Sequence, residues 1–124
     1  MRARTKLLIV DDSLTIRQAI ERNLKEFSLE VVGSTGNGKT ALELFRNLEP
    51  DVVTLDITMP ELDGITVLEE MMKMRNDVKI MVITALKDKA TGLRAIQIGA
   101  KSYLVKPFTS EKLKAAFARM LGTN

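Results

Sequence analysis

Five short apolar runs, each followed by apolar residues at helical spacing, constrain this chain more than any other feature. The runs are Lys6–Val10, Glu30–Gly33, Val52–Leu55, Lys79–Thr84 and Ser102–Val105. Apolar stretches of this length, without alternation, suit strands covered on both faces. Between them lie the stripes Ile16-Ala19-Ile20-Leu24-Phe27, Ala41-Leu44-Phe45-Leu48 and Leu68-Met71-Met72. A weaker pattern runs from about Asp88 to Ile98, and Leu113-Ala116-Phe117-Met120-Leu121 closes the series. Recurrence every three or four residues marks one face of a helix. Strand then helix, five times over, predicts an α/β fold with a five-stranded parallel sheet, doubly wound, right-handed crossovers and helices on both faces. The punctuation agrees. Asp12 or Ser13 is placed to cap the first helix and Thr109 or Ser110 the last. Pro50 stops the second helix, Asp63-Gly64 closes the loop before the third, and Gly99 suits the end of the fourth.

At 124 residues the chain is one domain's worth, and residues 1–124 are expected to form a single domain with no output domain after the last helix. What it lacks narrows its chemistry. Without cysteine there is no disulfide and no thiolate, and without histidine there is no imidazole base or phosphohistidine. No apolar run approaches a membrane span. The start Met1–Lys6 leads into only four apolar residues, too few for a signal-peptide core, so a cytoplasmic protein is expected. The net charge of +3 is uneven: net +6 after Leu86 and net −3 up to it. The basic part is either a solvated face or a docking surface for an acidic partner. Aromatic residues are few and not interleaved with it, so nucleic-acid binding is not supported.

The ionisable residues of interest fall where strands are expected to end. Asp11 and Asp12 follow Leu7-Leu8-Ile9-Val10, and Asp56 follows Val52-Val53-Thr54-Leu55. In doubly wound sheets the ligand site lies beyond the carboxyl ends of the strands, where the strand order switches. Three carboxylates meeting there would raise one another's pKa unless a cation intervened. A hard divalent ion resolves this, and Mg²⁺ suits the site because it needs few protein ligands and keeps several waters. The alternative is that Asp11 and Asp12 only cap the first helix. Thr84 adds a hydroxyl after the fourth strand and Lys106 a cation after the fifth. A carboxylate nucleophile, a metal, an ammonium and a hydroxyl together suit phosphoryl transfer onto an aspartate.

These motifs resemble the receiver domain of two-component response regulators, closest to its stand-alone, CheY-like chemotaxis type with a flavodoxin-like fold. The resemblance rests on Leu7–Asp12, Val53–Pro60, Asp63-Gly64, Val82–Ala85, Gly99–Lys101 and Tyr103–Phe108, in order and correctly spaced. It implies that Asp56 accepts a phosphoryl group from a sensor histidine kinase, CheA-like in chemotaxis. Mg²⁺ would be held by Asp12, Asp56 and the backbone carbonyl of Thr58, with Asp11 acting through a bound water. Lys106 would pair with the phosphoryl oxygens, and the Lys106–Pro107 bond would be cis. Thr84 would move toward the phosphoryl group and Tyr103 would swing inward behind it. Ala85, being small, would leave the site open to water and phosphodonors, while Thr58 and Leu86 would tune self-dephosphorylation. Met59 and Pro60 would shape the loop that holds the Thr58 carbonyl. The family is not one of conventional enzymes: it phosphorylates itself from small donors with Mg²⁺ and dephosphorylates itself. Output would come from a monomer binding a flagellar motor switch protein or other partner through residues 87–121, with a phosphatase as a further possible partner.

One motif competes. Gly33-Ser34-Thr35-Gly36-Asn37-Gly38-Lys39-Thr40 matches the P-loop pattern of nucleotide-binding proteins in full. It follows the second strand, not the one that leads into the Asp pair. The chain is also short for a nucleoside triphosphatase. An Asn-Gly turn entering an Ala-Leu-rich helix explains most of the match.

Overall fold

Burial on both faces explains why the short apolar runs become strands. The computed structural model describes residues 4–58, 63–85 and 89–122. Its elements alternate as β1 (Thr5–Val10), α1 (Leu14–Asn23), β2 (Leu29–Thr35), α2 (Gly38–Leu48), β3 (Val52–Asp56), α3 (Gly64–Met74), β4 (Lys79–Thr84), α4 (Lys89–Ile98), β5 (Ser102–Val105) and α5 (Ser110–Leu121). The strands form one parallel sheet in the order β2-β1-β3-β4-β5. The central strand β3 is buried along its whole length, as a strand covered by helices on both sides must be.

Two apolar layers flank the sheet. On one face Ala41 and Phe45 of α2, Val67, Leu68 and Met71 of α3, and Ala95 of α4 pack on Leu8, Val10, Val53, Leu55, Ile80 and Val82. On the other, Ile20 of α1 and Leu113, Ala116 and Phe117 of α5 pack on Leu7, Ile9, Met81 and Ile83. Alternate residues of β1 thus feed opposite cores, the period-2 geometry of a strand. Each fully buried Leu, Ile or Phe contributes about 1.5–3 kcal/mol.

Two boundaries depart from the sequence reading. α1 ends at Asn23, so Leu24 and Phe27 lie beyond it. Both stay apolar because Leu24 is buried at the cap and Phe27 packs edge-on against Phe117, ring centroids 5.1 Å apart. β2 extends to Thr35, past the expected Gly33, and carries a bulge where Leu7 faces Val31 but Leu8 faces Gly33. As an edge strand it tolerates the polar Ser34 and Thr35. The helix caps resolve to Ser13, Asn37, Asp63 and Thr109, each side chain accepting a backbone N–H of the first turn. Gly64 is fixed by contact: a Cβ there would stand 2.1 Å from the Cα of Ile57.

The P-loop reading does not survive. Gly33 to Thr35 are strand residues paired with Leu8 to Val10, so they cannot wrap a phosphate. The N–H of Thr40 is held by Asn37 Oδ1 at 2.9 Å, and Lys39 is exposed. No helix among the described residues is long and apolar enough to cross a membrane.

Candidate functional site

Register brings the chemistry to one edge. Val10 lies opposite Leu55, Asp56 opposite Ile83, and Thr84 opposite Val105. Asp11 and Lys106, each one residue past its strand, therefore reach the level of Asp56 and Thr84. Backbone bonds fix these exits: Ile57 N–H donates to the Ile83 carbonyl at 3.0 Å, and Lys106 N–H to the Thr84 carbonyl at 2.7 Å. The Lys106–Pro107 peptide is cis, as the resemblance implied.

The side chains converge. Carboxylate oxygens of Asp11, Asp12 and Asp56 lie within 4.8 Å of one another, with Asp11 and Asp56 buried and Asp12 exposed. The Lys106 ammonium sits 2.8 Å from Asp11 Oδ2 and 3.4 Å from Asp56 Oδ2. Thr84 is fully buried at the end of β4, and Ala85 beside it is exposed. Tyr103 is 38% exposed and lies against α4 at Gly92, where a Cβ would come within 2.7 Å of the ring. Leu93 and Ile96 beside it are exposed as well.

Electrostatics follows from this crowding. Burial raises the Asp11 pKa, and the Asp56 charge adds to it. The hydrogen bonds from Lys106 and Ser13 and the Lys106 charge offset this only in part. For Lys106, burial pulls the ammonium down, but its hydrogen bond to Asp11 and the charges of Asp11 and Asp56 outweigh that, so its pKa ends above the ordinary value. Asp11 thus carries a charge that its surroundings do not fully neutralise, and a divalent cation held by oxygen ligands would relieve it. The donor set fits Mg²⁺: three carboxylates close enough to share one ion, one of them open to water.

Several features were not legible in the sequence. Thr58 holds Asp56 directly: its N–H donates to Asp56 Oδ1 at 2.8 Å and its hydroxyl to the same oxygen at 2.6 Å. Two donors on one oxygen fix the carboxylate's rotation and leave Oδ2 facing Lys106. Asp11 uses its other oxygen to accept the Ser13 N–H at 2.9 Å, so it serves the turn as well as the site. Arg17 donates to the backbone carbonyl of Asp11. Met59, Pro60 and Leu86 lie outside the described residues.

Comparison with known proteins follows the same lines. The model of the response regulator receiver domain matches residues 7–118. The chemotaxis protein CheY of Thermotoga maritima is 38% identical over 115 residues, covering 93% of this chain and 96% of that protein. A probable transcriptional regulator, ycf27 of Guillardia theta, is 41% identical over 121 residues, which cover 98% of this chain but 47% of the regulator. Among solved structures, the CheX–CheY–BeF3–Mg²⁺ complex from Borrelia burgdorferi superposes with a TM-score of 0.89 at 28% identity, covering 94% of this chain and 89% of that one.

Proposed function

The chain belongs to the response regulator receiver domain family, and on that footing we propose that it is a phosphorylation-activated switch whose phosphoacceptor is Asp56. The observation that carries this is the placement of Lys106 within 3.4 Å of a buried Asp56 whose other oxygen is clamped by Thr58. A carboxylate so oriented is a nucleophile held in one attitude beside a cation. Its oxygen bonds to phosphorus while the bond from phosphorus to the donor's nitrogen, a histidine of a sensor kinase, breaks and the electron pair leaves with the donor. With a small donor such as acetyl phosphate, the bond broken is to the acyl oxygen. Lys106 meets the phosphoryl oxygens, and the Thr84 hydroxyl and the backbone beside the small Ala85 complete their cradle. Asp11, Asp12, Asp56 and the Thr58 carbonyl would hold Mg²⁺, which supplies charge neutralisation when bound. The chain is a phosphoacceptor that phosphorylates itself from small donors with Mg²⁺ and dephosphorylates itself, not a turnover enzyme.

Output follows by population shift. Phosphorylation draws Thr84 toward the phosphoryl group and lets Tyr103 leave its place on α4 and turn inward, which remodels the 87–121 surface. That surface is the basic part of the chain, and it would dock an acidic partner. Likeness to CheY over nearly the whole of both chains favours chemotaxis, with a CheA-type kinase and a flagellar motor switch protein as partners. A second reading, a receiver of another pathway, is favoured by the higher identity to a transcriptional regulator, about half of whose length this chain covers.

The test is intact mass after incubation with Mg²⁺ and acetyl phosphate. We expect one labile phosphoryl adduct, absent in Asp56→Asn. No adduct, or one that survives that substitution, sinks the proposal. Pull-down of a motor switch protein, dependent on the adduct, separates the chemotaxis reading from the other.

A further inference from the structure

Arg17 stands in the first turn of α1 and reaches back over the loop that carries Asp11 and Asp12. Its Nη1 donates to the backbone carbonyl of Asp11 at 2.5 Å. Its Nε is buried and has no hydrogen-bond partner among the described residues. The guanidinium lies against Gly36, in the loop between β2 and α2. A Cβ at Gly36 would stand 2.9 Å from Nη1, 3.2 Å from the Cα of Asp12 and 3.3 Å from the Asp11 carbonyl oxygen. The end of β2 holds the other side of Asp11, whose N–H donates to the Thr35 carbonyl at 3.0 Å.

The simplest account makes Arg17 an ordinary helix-surface cation. Two observations oppose it. A buried N–H left without a partner costs stability, and such groups persist where something else depends on the side chain's place. And the guanidinium lies so close to Gly36 that a methyl group there would have to displace it. What Arg17 fixes is one peptide plane. The Asp11 carbonyl belongs to the rigid unit joining Asp11 to Asp12. Holding that oxygen sets the backbone angles on either side, which aim both carboxylates. With Thr35 on its N–H, Asp11 is held on both of its backbone polar groups.

We propose that Arg17, seated against Gly36, is a positioning residue for the metal site: it locks the Asp11–Asp12 peptide so that both carboxylates converge with Asp56 on a divalent cation. The inference rests on the reading that these carboxylates hold Mg²⁺. Groups that orient metal ligands without touching the metal commonly change affinity by about 10–100-fold when removed. Arg17 acts through backbone, one step further away, so the lower end applies.

Mg²⁺ binding to the full chain, measured by calorimetry at neutral pH, tests it. Arg17→Met keeps the aliphatic stem and removes every donor, and it should weaken Mg²⁺ about tenfold. Arg17→Lys, with one donor for one carbonyl, should recover most of the loss. Gly36→Ala should weaken Mg²⁺ with Arg17 intact, because its methyl displaces Nη1. The rate of adduct formation from acetyl phosphate should fall at low Mg²⁺ in Arg17→Met and return when Mg²⁺ is saturating. A lower urea midpoint with unchanged Mg²⁺ affinity would make Arg17 merely structural and overturn the proposal. If Arg17→Met does not fold, unchanged affinity in Gly36→Ala overturns it equally. Absence of Mg²⁺ binding by the unsubstituted chain would instead sink the metal reading on which this one stands.

Discussion

The Lys106 ammonium is closer to Asp11 than to Asp56, 2.8 Å against 3.4 Å. The lysine therefore answers first to Asp11, whose charge burial disfavours, and the cation expected at the phosphoryl group is also part of the charge balance among the acids proposed to hold a metal.

That balance sets a pH dependence. The folded-state pKa of Asp11 is raised above its unfolded value of 3.8. A raised folded pKa means that the folded form binds the proton better, so Asp11 favours folding below pH 3.8 and loses that contribution as pH rises through its folded value. At neutral pH and without metal, Asp11→Asn should be more stable than the unsubstituted chain, and the gain should vanish in acid. Urea midpoints across pH 3 to 8 check this. Saturating Mg²⁺ should reverse the order, because the metal binds the charged carboxylate.

Lys106 and the proposed metal ion would compete for the same oxygens. In Lys106→Met, Mg²⁺ affinity should rise about tenfold, a change of about 1.4 kcal/mol, while the phosphoryl adduct forms more slowly. Parallel calorimetry and intact-mass time courses would show the two effects moving in opposite directions. A fall in both would make the ammonium a simple structural tie.

Chelation gives a further test. A ligand that binds only the folded state at about 100 times its Kd adds about 2.7 kcal/mol. For a domain of this size the midpoint of thermal unfolding should then rise by roughly 10 °C with Mg²⁺ and fall back with EDTA. Asp12→Ala should abolish most of the difference.

Tyr103 is the chain's one tyrosine, and there is no tryptophan, so its fluorescence reports a single ring. Gly92→Ala would place a methyl 2.7 Å from that ring. The substitution favours the helix by about 1 kcal/mol, yet it closes the ring's seat on α4. Acrylamide quenching of Tyr103 should fall as the ring turns inward. Unchanged quenching would show that α4 yields instead.

Gly64→Ala should cost about 3 kcal/mol or more, since the contact is with the Ile57 backbone and no rotamer relieves it. Gly122→Ala meets nothing nearby and should cost only about 1–2 kcal/mol for its left-handed backbone. Urea denaturation of the two variants distinguishes them.

Strands, helices and acidic residues were legible because each is written locally. An apolar run of strand length ends at Val10 or Leu55, and the next residue is an aspartate. What failed was also local in cause. Phe27 continues the stripe of α1 although α1 stops at Asn23, because an apolar residue in a loop can serve the same core. Ser34 and Thr35 look like a turn, yet an edge strand asks for burial on fewer sides. The Gly-rich stretch that mimics a P-loop answers to several neighbours, Gly33 packing on Leu8 and Leu44 and Gly36 lying against Arg17. The preference of Lys106 for Asp11, and the double hold of Thr58 on Asp56, depend on ångström-level placement that no spacing encodes.

Every strand pair in the sheet is parallel, so none can close as a hairpin, and each ladder waits for an intervening helix. Such topologies fold more slowly than those built from near neighbours. They also impose an order on synthesis, in which earlier segments organise first. The ribosome delivers Asp11 and Asp12, then Asp56, and Lys106 only after all three. The nascent chain must carry its gathered acids without their ammonium until β5 docks. Free divalent cation in the surrounding solution would then act as a folding aid, before there is any signal to carry.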